Sequence, residues 1–192
     1  MVQNVIVGLG NPGPQFETTR HNAGFDVMRS LAGAAQFVHD QTSQADVHIV
    51  EIAGKSVCLA CPTTGMNSSG EAAKALLEQF SLPSSALLLI YDDVSLPMGR
   101  LRFQHNGGAG GHHGIESTIE QLGGSKEFDR LKVGVGPDPG GATRYQFVLA
   151  PMTNDELEFF GRVRAASVDA VKIWLESGID AAMSKINGRK FD

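Results

Sequence analysis

Cysteine is scarce: the 192-residue chain has two, Cys58 and Cys61. They need not form a disulfide framework, and the scarcity fits a reducing compartment. No stretch approaches the roughly 20 apolar residues of a membrane-spanning helix. Met1-Val2-Gln3-Asn4 has no basic segment leading into an apolar run, so no secretory signal and a cytoplasmic location are expected. Basic residues are not in excess, with 16 Lys and Arg against 21 Asp and Glu, a formal net charge of −5. A wholly basic, nucleic-acid-coating surface is excluded, while a local basic patch is not. Repeats, low-complexity tracts and linkers are absent as well. At 42 % apolar and 19 % charged, the chain is too apolar for disorder and long enough to bury a full core as one domain. What it has in quantity is glycine. The 23 glycines gather at 8–13, 107–114, 123–124 and 134–141, where backbone must turn sharply or approach a ligand closely.

Asn4-Val5-Ile6-Val7 reads as a short buried strand ending at Gly8. Phe25, Met28 and Leu31 sit at helical spacing within a helix from Asn22 to about Ala35. The runs 47–53 and 56–61, joined at Gly54-Lys55, predict a hairpin. Ser68 and Glu71 stand three apart, as in a capping box, and open a helix that runs to about Phe80 and stops before Pro83. Ser85 to Tyr91 is short and continuously apolar, as a strand covered on both faces is. Strands at 100–104 and 131–135 follow, with a helix between them from His112 to Leu122. Thr153 begins a long amphipathic helix that places Leu157, Phe160, Val163, Val171, Trp174 and Leu175 near one face, and Gly178 breaks it. Strands alternating with helices predict one α/β domain. The hairpin makes its twisted sheet mixed, though mostly parallel, with helices on both faces.

Several motifs lead nowhere. Gly8-Leu9-Gly10-Asn11-Pro12-Gly13 matches G-x-G-x-x-G, but a dinucleotide site needs a helix starting at the glycines and an acidic strand end about 20 residues on. Here Pro12 and Pro14 follow, and no convincing strand with such an end is visible. Gly54-Lys55-Ser56 fails as a P-loop because Ile49 stands where the first glycine belongs. Cys58 and Cys61, three apart on a strand, point to opposite faces, one inward and one outward, as structural thiols. The G-x-S-x-G nucleophile elbow is absent. Among His105, His112, His113, Asp92 and Asp93 no familiar ligand spacing occurs, so no metal is expected.

What remains is a convergence. Ligands of open α/β sheets bind beyond the carboxyl ends of strands. Asn11 follows the first strand, Asp92 and Asp93 follow the strand 86–91, His21 precedes the first helix, and Asn67 sits in the loop before the helix at Ser68. On one rim these loops would join a histidine, a carboxylate and two amides. A carboxylate on one imidazole nitrogen fixes the tautomer and supports the imidazolium formed when the other nitrogen takes a proton. Amides can stabilise an oxyanion, typically for a few kcal/mol. The plainer alternative makes His21 and Asn22 helix caps, Asp92 and Asp93 turn residues, and Asn67 a helix start.

These same stretches resemble the bacterial-type peptidyl-tRNA hydrolase family. The matching blocks are Val7-Gly8-Leu9-Gly10-Asn11-Pro12-Gly13, Thr19-Arg20-His21-Asn22-Ala23-Gly24, Pro62-Thr63-Thr64 with Met66-Asn67 and Ser69-Gly70, Asp92-Asp93 with Leu96-Pro97 and Gly99, Gly110-Gly111-His112 with Gly114, and Arg130 to Gly136. They run in order over about residues 5–150. The resemblance implies a phosphorylase/hydrolase-like α/β/α sandwich that hydrolyses the ester joining a peptide's C-terminus to the terminal ribose of tRNA. It also implies a cytoplasmic monomer with no cofactor or metal and no membrane partner. The family's general base falls on His21, its supporting carboxylate on Asp92, and its discriminating and substrate-positioning amides on Asn11 and Asn67. Phe16, Gly65, Met66, Gly111 and His113 fall at further substrate positions. Arg102, Arg130 and Lys132 are candidate tRNA phosphate contacts, with Lys126, Arg100 and His105 nearby.

The departures are informative. His113 stands where an asparagine is usual; an imidazole can donate one hydrogen bond but cannot copy an amide's paired donor and acceptor. Phe16 replaces the usual tyrosine. Gly65 replaces a bulkier residue, which should open the substrate pocket. Gln104 replaces a common basic residue. Two other classes stay in view: a tRNA- or ribosome-binding relative with weakened catalysis, and a nucleotide-dependent enzyme using the Gly8–Gly13 loop.

Overall fold

A computed structural model describes residues 1–191. The strands are β1 (Asn4–Gly8), β2 (Val38–Asp40), β3 (Ala45–Ile52), β4 (Lys55–Pro62), β5 (Leu87–Pro97), β6 (Leu101–His105) and β7 (Asp129–Gly136). They form one sheet in the order β2-β3-β4-β1-β5-β7-β6. The four central strands β4, β1, β5 and β7 run parallel; β2/β3, β3/β4 and β6/β7 pair antiparallel. The sheet is mixed and mostly parallel as expected: five of its seven strands run one way, with β3 and β6 reversed. The β3–β4 hairpin and the short edge strand β2 extend the antiparallel side. β2 ends at Asp40, so an acidic strand end does exist, but on an edge strand three places from β1 in the sheet.

Helices cover both faces. α1 (Ala23–Ala32) and α5 (Asn154–Ile186) pack on one, burying Ile6, Leu88, Ile90, Leu131 and Val133 with Phe25, Phe160 and Trp174. α2 (Ser69–Gln79) and α3 (His113–Gln121) pack on the other, over Val5, Val7, Leu87, Leu89 and Tyr91. α4 (Thr143–Leu149) is a further short helix. No helix among the described residues is long and apolar enough to cross a membrane. Because both faces are covered, Cys58 and Cys61 do point to opposite sides yet both are buried. Burial pushes both thiols up to about 12, leaving them inert near neutral pH.

The starts of α5 and α2 differ. At α5, Thr153 and Glu156 form a reciprocal capping box, and the helix kinks at Gly178, whose φ is 78°. At α2 the box does not form. A one-turn 3-10 helix, Met66–Ser68, leads directly into α2, so Ser68 lacks the extended backbone of a cap and makes no capping bond. Ser69 instead donates its hydroxyl back to the carbonyls of Gly65 and Met66.

Glycine is required where α1 meets the sheet. A Cβ on Gly24 would stand 2.3 Å from the Ile90 carbonyl oxygen and 2.5 Å from Leu9 backbone atoms. That contact drives the start of α1, and the turn just before it, against the ends of β1 and β5.

Candidate active site

β1 stops at Gly8, opposite Ile90 of β5. β5 continues to Pro97, so Asp92 and Asp93 lie within the strand, opposite Val133 and Gly134 of β7. Strand alternation then separates the two carboxylates. Asp92 follows Ile90 onto the α1 face, and Asp93 follows Tyr91 onto the other. The segment Arg20–Asn22 is a one-turn 3-10 helix leading into α1. It places His21 Nδ1 2.8 Å from Asp92 Oδ1, with side-chain exposures of only 12 % and 3 %.

Electrostatics follow from that contact. For His21, burial favours the neutral ring, but the adjacent Asp92 charge and hydrogen bond outweigh it and raise the pKa above the ordinary histidine value. For Asp92, burial alone would raise the carboxyl. The His21 charge and the hydrogen bonds from His112 and His21 reverse this and hold it far below the carboxylate range. An ionised Asp92 accepting Nδ1–H leaves the Nε2 lone pair of His21 free, the arrangement of a positioned base. Asp93 serves elsewhere: it pairs with Lys132 at 3.1 Å and accepts from Ser95.

Asn11 links two loops. Its Oδ1 accepts from Met66 N at 3.0 Å. Its backbone is held by Asn22, whose Oδ1 accepts from Asn11 N at 2.8 Å and whose Nδ2 donates to Asn11 O at 2.9 Å. Asn22 thus follows the α1 lead-in without capping it, and fixes the Asn11 loop beside His21.

These groups line a cleft of about 580 Å³. Asn11, His21, Gly65, Met66, Asn67, Asp92, Gly111, His113 and Lys132 all reach its wall, so most of the expected site converges. Gly65, with φ of 83°, has nothing near its missing Cβ except Asn11 Oδ1 at 3.9 Å, so the room expected there exists. Phe16 does not line the cleft; it is half-buried in the one-turn 3-10 helix Pro14–Phe16. Arg102 is exposed on β6, opposite Lys132 in register but outside the cleft wall.

Arg130 is a correction. It is fully buried, donates to the carbonyls of Gly107 and Gly108, and stacks on Phe128. It organises the glycine loop from beneath and has no surface to offer a phosphate. Arg100 and His105 are occupied too, on the Gly188 carbonyl and on Asp129.

Three contributors were not assigned from sequence. His112, weighed there only as a metal candidate, donates through Nε2 to Asp92 Oδ1 over 3.3 Å and packs its ring 4.7 Å from Tyr91. Its Gly-Gly-His setting was the available signal. Arg144, Tyr145 and Val148 of α4 form another wall. Arg20, buried beside His21, holds α4 in place: it donates to the Phe147 and Ala150 carbonyls, stacks on Phe147, and pairs with Glu156 at 2.6 Å.

With this geometry in view, the comparisons are decisive. The peptidyl-tRNA hydrolase family model matches residues 5–192. This chain belongs to the peptidyl-tRNA hydrolase family. It is 41 % identical to the peptidyl-tRNA hydrolase of Thermosynechococcus vestitus, over 96 % of this chain and 94 % of that one. Against the peptidyl-tRNA hydrolase of Gloeobacter violaceus the identity is 39 %, over 100 % and 97 %. The crystal structure of the Acinetobacter baumannii peptidyl-tRNA hydrolase superposes with a TM-score of 0.91 at 28 % identity, over 100 % of this chain and 99 % of that one. Membership makes the protein a hydrolase acting on peptidyl-tRNA.

Proposed function

We propose that this peptidyl-tRNA hydrolase cleaves the ester between a peptide's C-terminal carbonyl and the terminal ribose of tRNA by direct attack of water. The observation that carries the reading is the 2.8 Å contact between His21 Nδ1 and a buried, ionised Asp92 at the wall of the cleft. His21 Nε2 takes a proton from water as the oxygen attacks the carbonyl, and Asp92 supports the imidazolium. Asn67 and backbone N–H groups of the cleft rim stabilise the tetrahedral oxyanion, and the ribose hydroxyl leaves. An ester has a competent leaving group, so a base and oriented donors suffice without a covalent intermediate.

Asn11 and Met66, tied together, hold the blocked end of the substrate. His113 and Gly111 bind around the scissile group. The acceptor stem approaches over Lys132 and Arg102, which share one face of the β6–β7 pair. The product is free tRNA returned to translation, and the enzyme works as a single-domain cytoplasmic monomer.

Release of tRNA from N-acetyl-aminoacyl-tRNA, beside unblocked aminoacyl-tRNA and with a chelator present, tests this. Cleavage of the blocked substrate alone, lost in His21→Ala, is the expected result. Tight tRNA binding by a folded protein without cleavage would instead make it a binding relative.

A further inference from the structure

Asp92 is shared by two imidazoles. His21 Nδ1 lies 2.8 Å and His112 Nε2 3.3 Å from the same oxygen, Oδ1. The rings themselves are 5.3 Å apart. One ligand atom from each of His21, Asp92 and His112 lies within 4.8 Å of the other two. Tetrahedral zinc binds N and O ligands at roughly 2.0–2.1 Å, which sets ligand atoms about 3.3 Å apart. Two edges of the triangle therefore already stand within about 0.5 Å of that spacing. The remaining ring nitrogen of His112, Nδ1, is buried and has no hydrogen-bond partner. A metal at Nε2 can send that ring's proton to Nδ1 without breaking a further bond. All three residues line the cleft.

We propose that His21, Asp92 and His112 form a latent site for a borderline-soft divalent cation such as zinc, and that its occupancy switches hydrolysis off. Two neutral imidazoles and one carboxylate are the donor set of many zinc sites with an open position. Magnesium and calcium prefer six or more oxygen ligands and find one carboxylate here. Inhibition follows from the proton inventory of His21. A metal on Nδ1 leaves the ring's proton on Nε2; a metal on Nε2 occupies the lone pair directly. In both cases no nitrogen remains to take a proton from water. This inhibitory half rests on His21 being the base, while the binding half stands without it.

The test begins with the metal-stripped protein and no tRNA. Cobalt(II) is titrated while visible absorption is read, zinc is then added in competition, and the imidazole ¹⁵N resonances are followed. The expected result is one equivalent of cobalt with tetrahedral-type bands, displaced by zinc, with shifts at His21 and His112. His112→Ala, checked for folding by circular dichroism, should weaken binding at least about tenfold, whereas His39→Ala at the exposed His39–Asp46 pair should not. In the hydrolysis assay, zinc should inhibit over the same concentrations, EDTA should restore the rate, and magnesium should not substitute for zinc. Absence of stoichiometric binding, unshifted His21 and His112 resonances, or equal binding by folded His112→Ala would overturn the site. Zinc binding with an undiminished or increased rate would leave the site standing and overturn the inhibition, and with it His21 as the base.

Discussion

Asp92 and Asp93 are chemically identical neighbours, and one residue of strand parity gives them separate roles. Asp92→Asn keeps the shape but cannot hold an imidazolium, so kcat should fall by about 10²-fold or more. Asp93→Asn, which frees Lys132, should act mainly on KM and its salt dependence. Steady-state kinetics on the two variants checks both. The pH profile follows from His21. Its raised pKa means the active, neutral ring is reached only above the ordinary histidine value, so kcat/KM should rise with pH through a midpoint above about 6.5. The stability contributed by the pair has two boundaries. It is lost on the acid side as Asp92 protonates below its depressed pKa, and on the alkaline side as His21 loses its proton. From sequence, the convergence of Asn11, His21, Asn67 and an aspartate was legible because each follows or precedes a recognisable element. Which aspartate was not, because the end of β1 opposite Ile90 decides where Asp92 becomes accessible. Arg130 was misread for a related reason. A basic residue alternating along a strand looks solvated until the glycine loop is seen lying over it.

At the scale of elements, the start of α5 and its kink were legible because Thr153 and Gly178 each signal locally. α4 was not: seven residues cannot form a stable helix alone, and this one is held by Arg20 from a distant part of the chain. Glu156 joins the two, capping α5 with one oxygen and pairing Arg20 with the other. Glu156→Gln retains the capping geometry and removes the charge. It should cost about 1 kcal/mol, or roughly 2–4 °C in melting temperature. As the α4 wall loosens, KM should rise while kcat stays within about threefold. Asp26 of α1 gives an opposite case. Burial, only partly offset by Arg29 and Arg164, raises its pKa to about 6. The unfolded chain ionises first, so stability should fall as pH climbs from about 4 to 6 and then level off. Asp26→Asn should flatten that slope and stabilise the protein at pH 7.5 by up to about 2 kcal/mol, as read from urea midpoints.

For the molecule as a whole, a net charge of −5 opposes a polyanionic substrate, so affinity must come from a local patch. Binding of tRNA should weaken steeply with salt. Lys132→Gln and Arg102→Gln should each lower the salt slope by roughly one. Arg130→Gln should leave the slope unchanged and lower the melting temperature instead. Individual strands other than the short, exposed β2 were readable, but strand order was not, since nothing local in β7 says which neighbours it takes. It inserts between β5 and β6, both of which precede it in the chain. Until residues 129–136 have been synthesised, the part β2-β3-β4-β1-β5 can pair but ends on an open β5 edge, and β6 has no partner strand. A nascent chain interrupted short of that point holds five paired strands with one edge open that the finished sheet covers. That β5 edge and the partnerless β6 are open to proteolysis or to pairing with another unfinished chain.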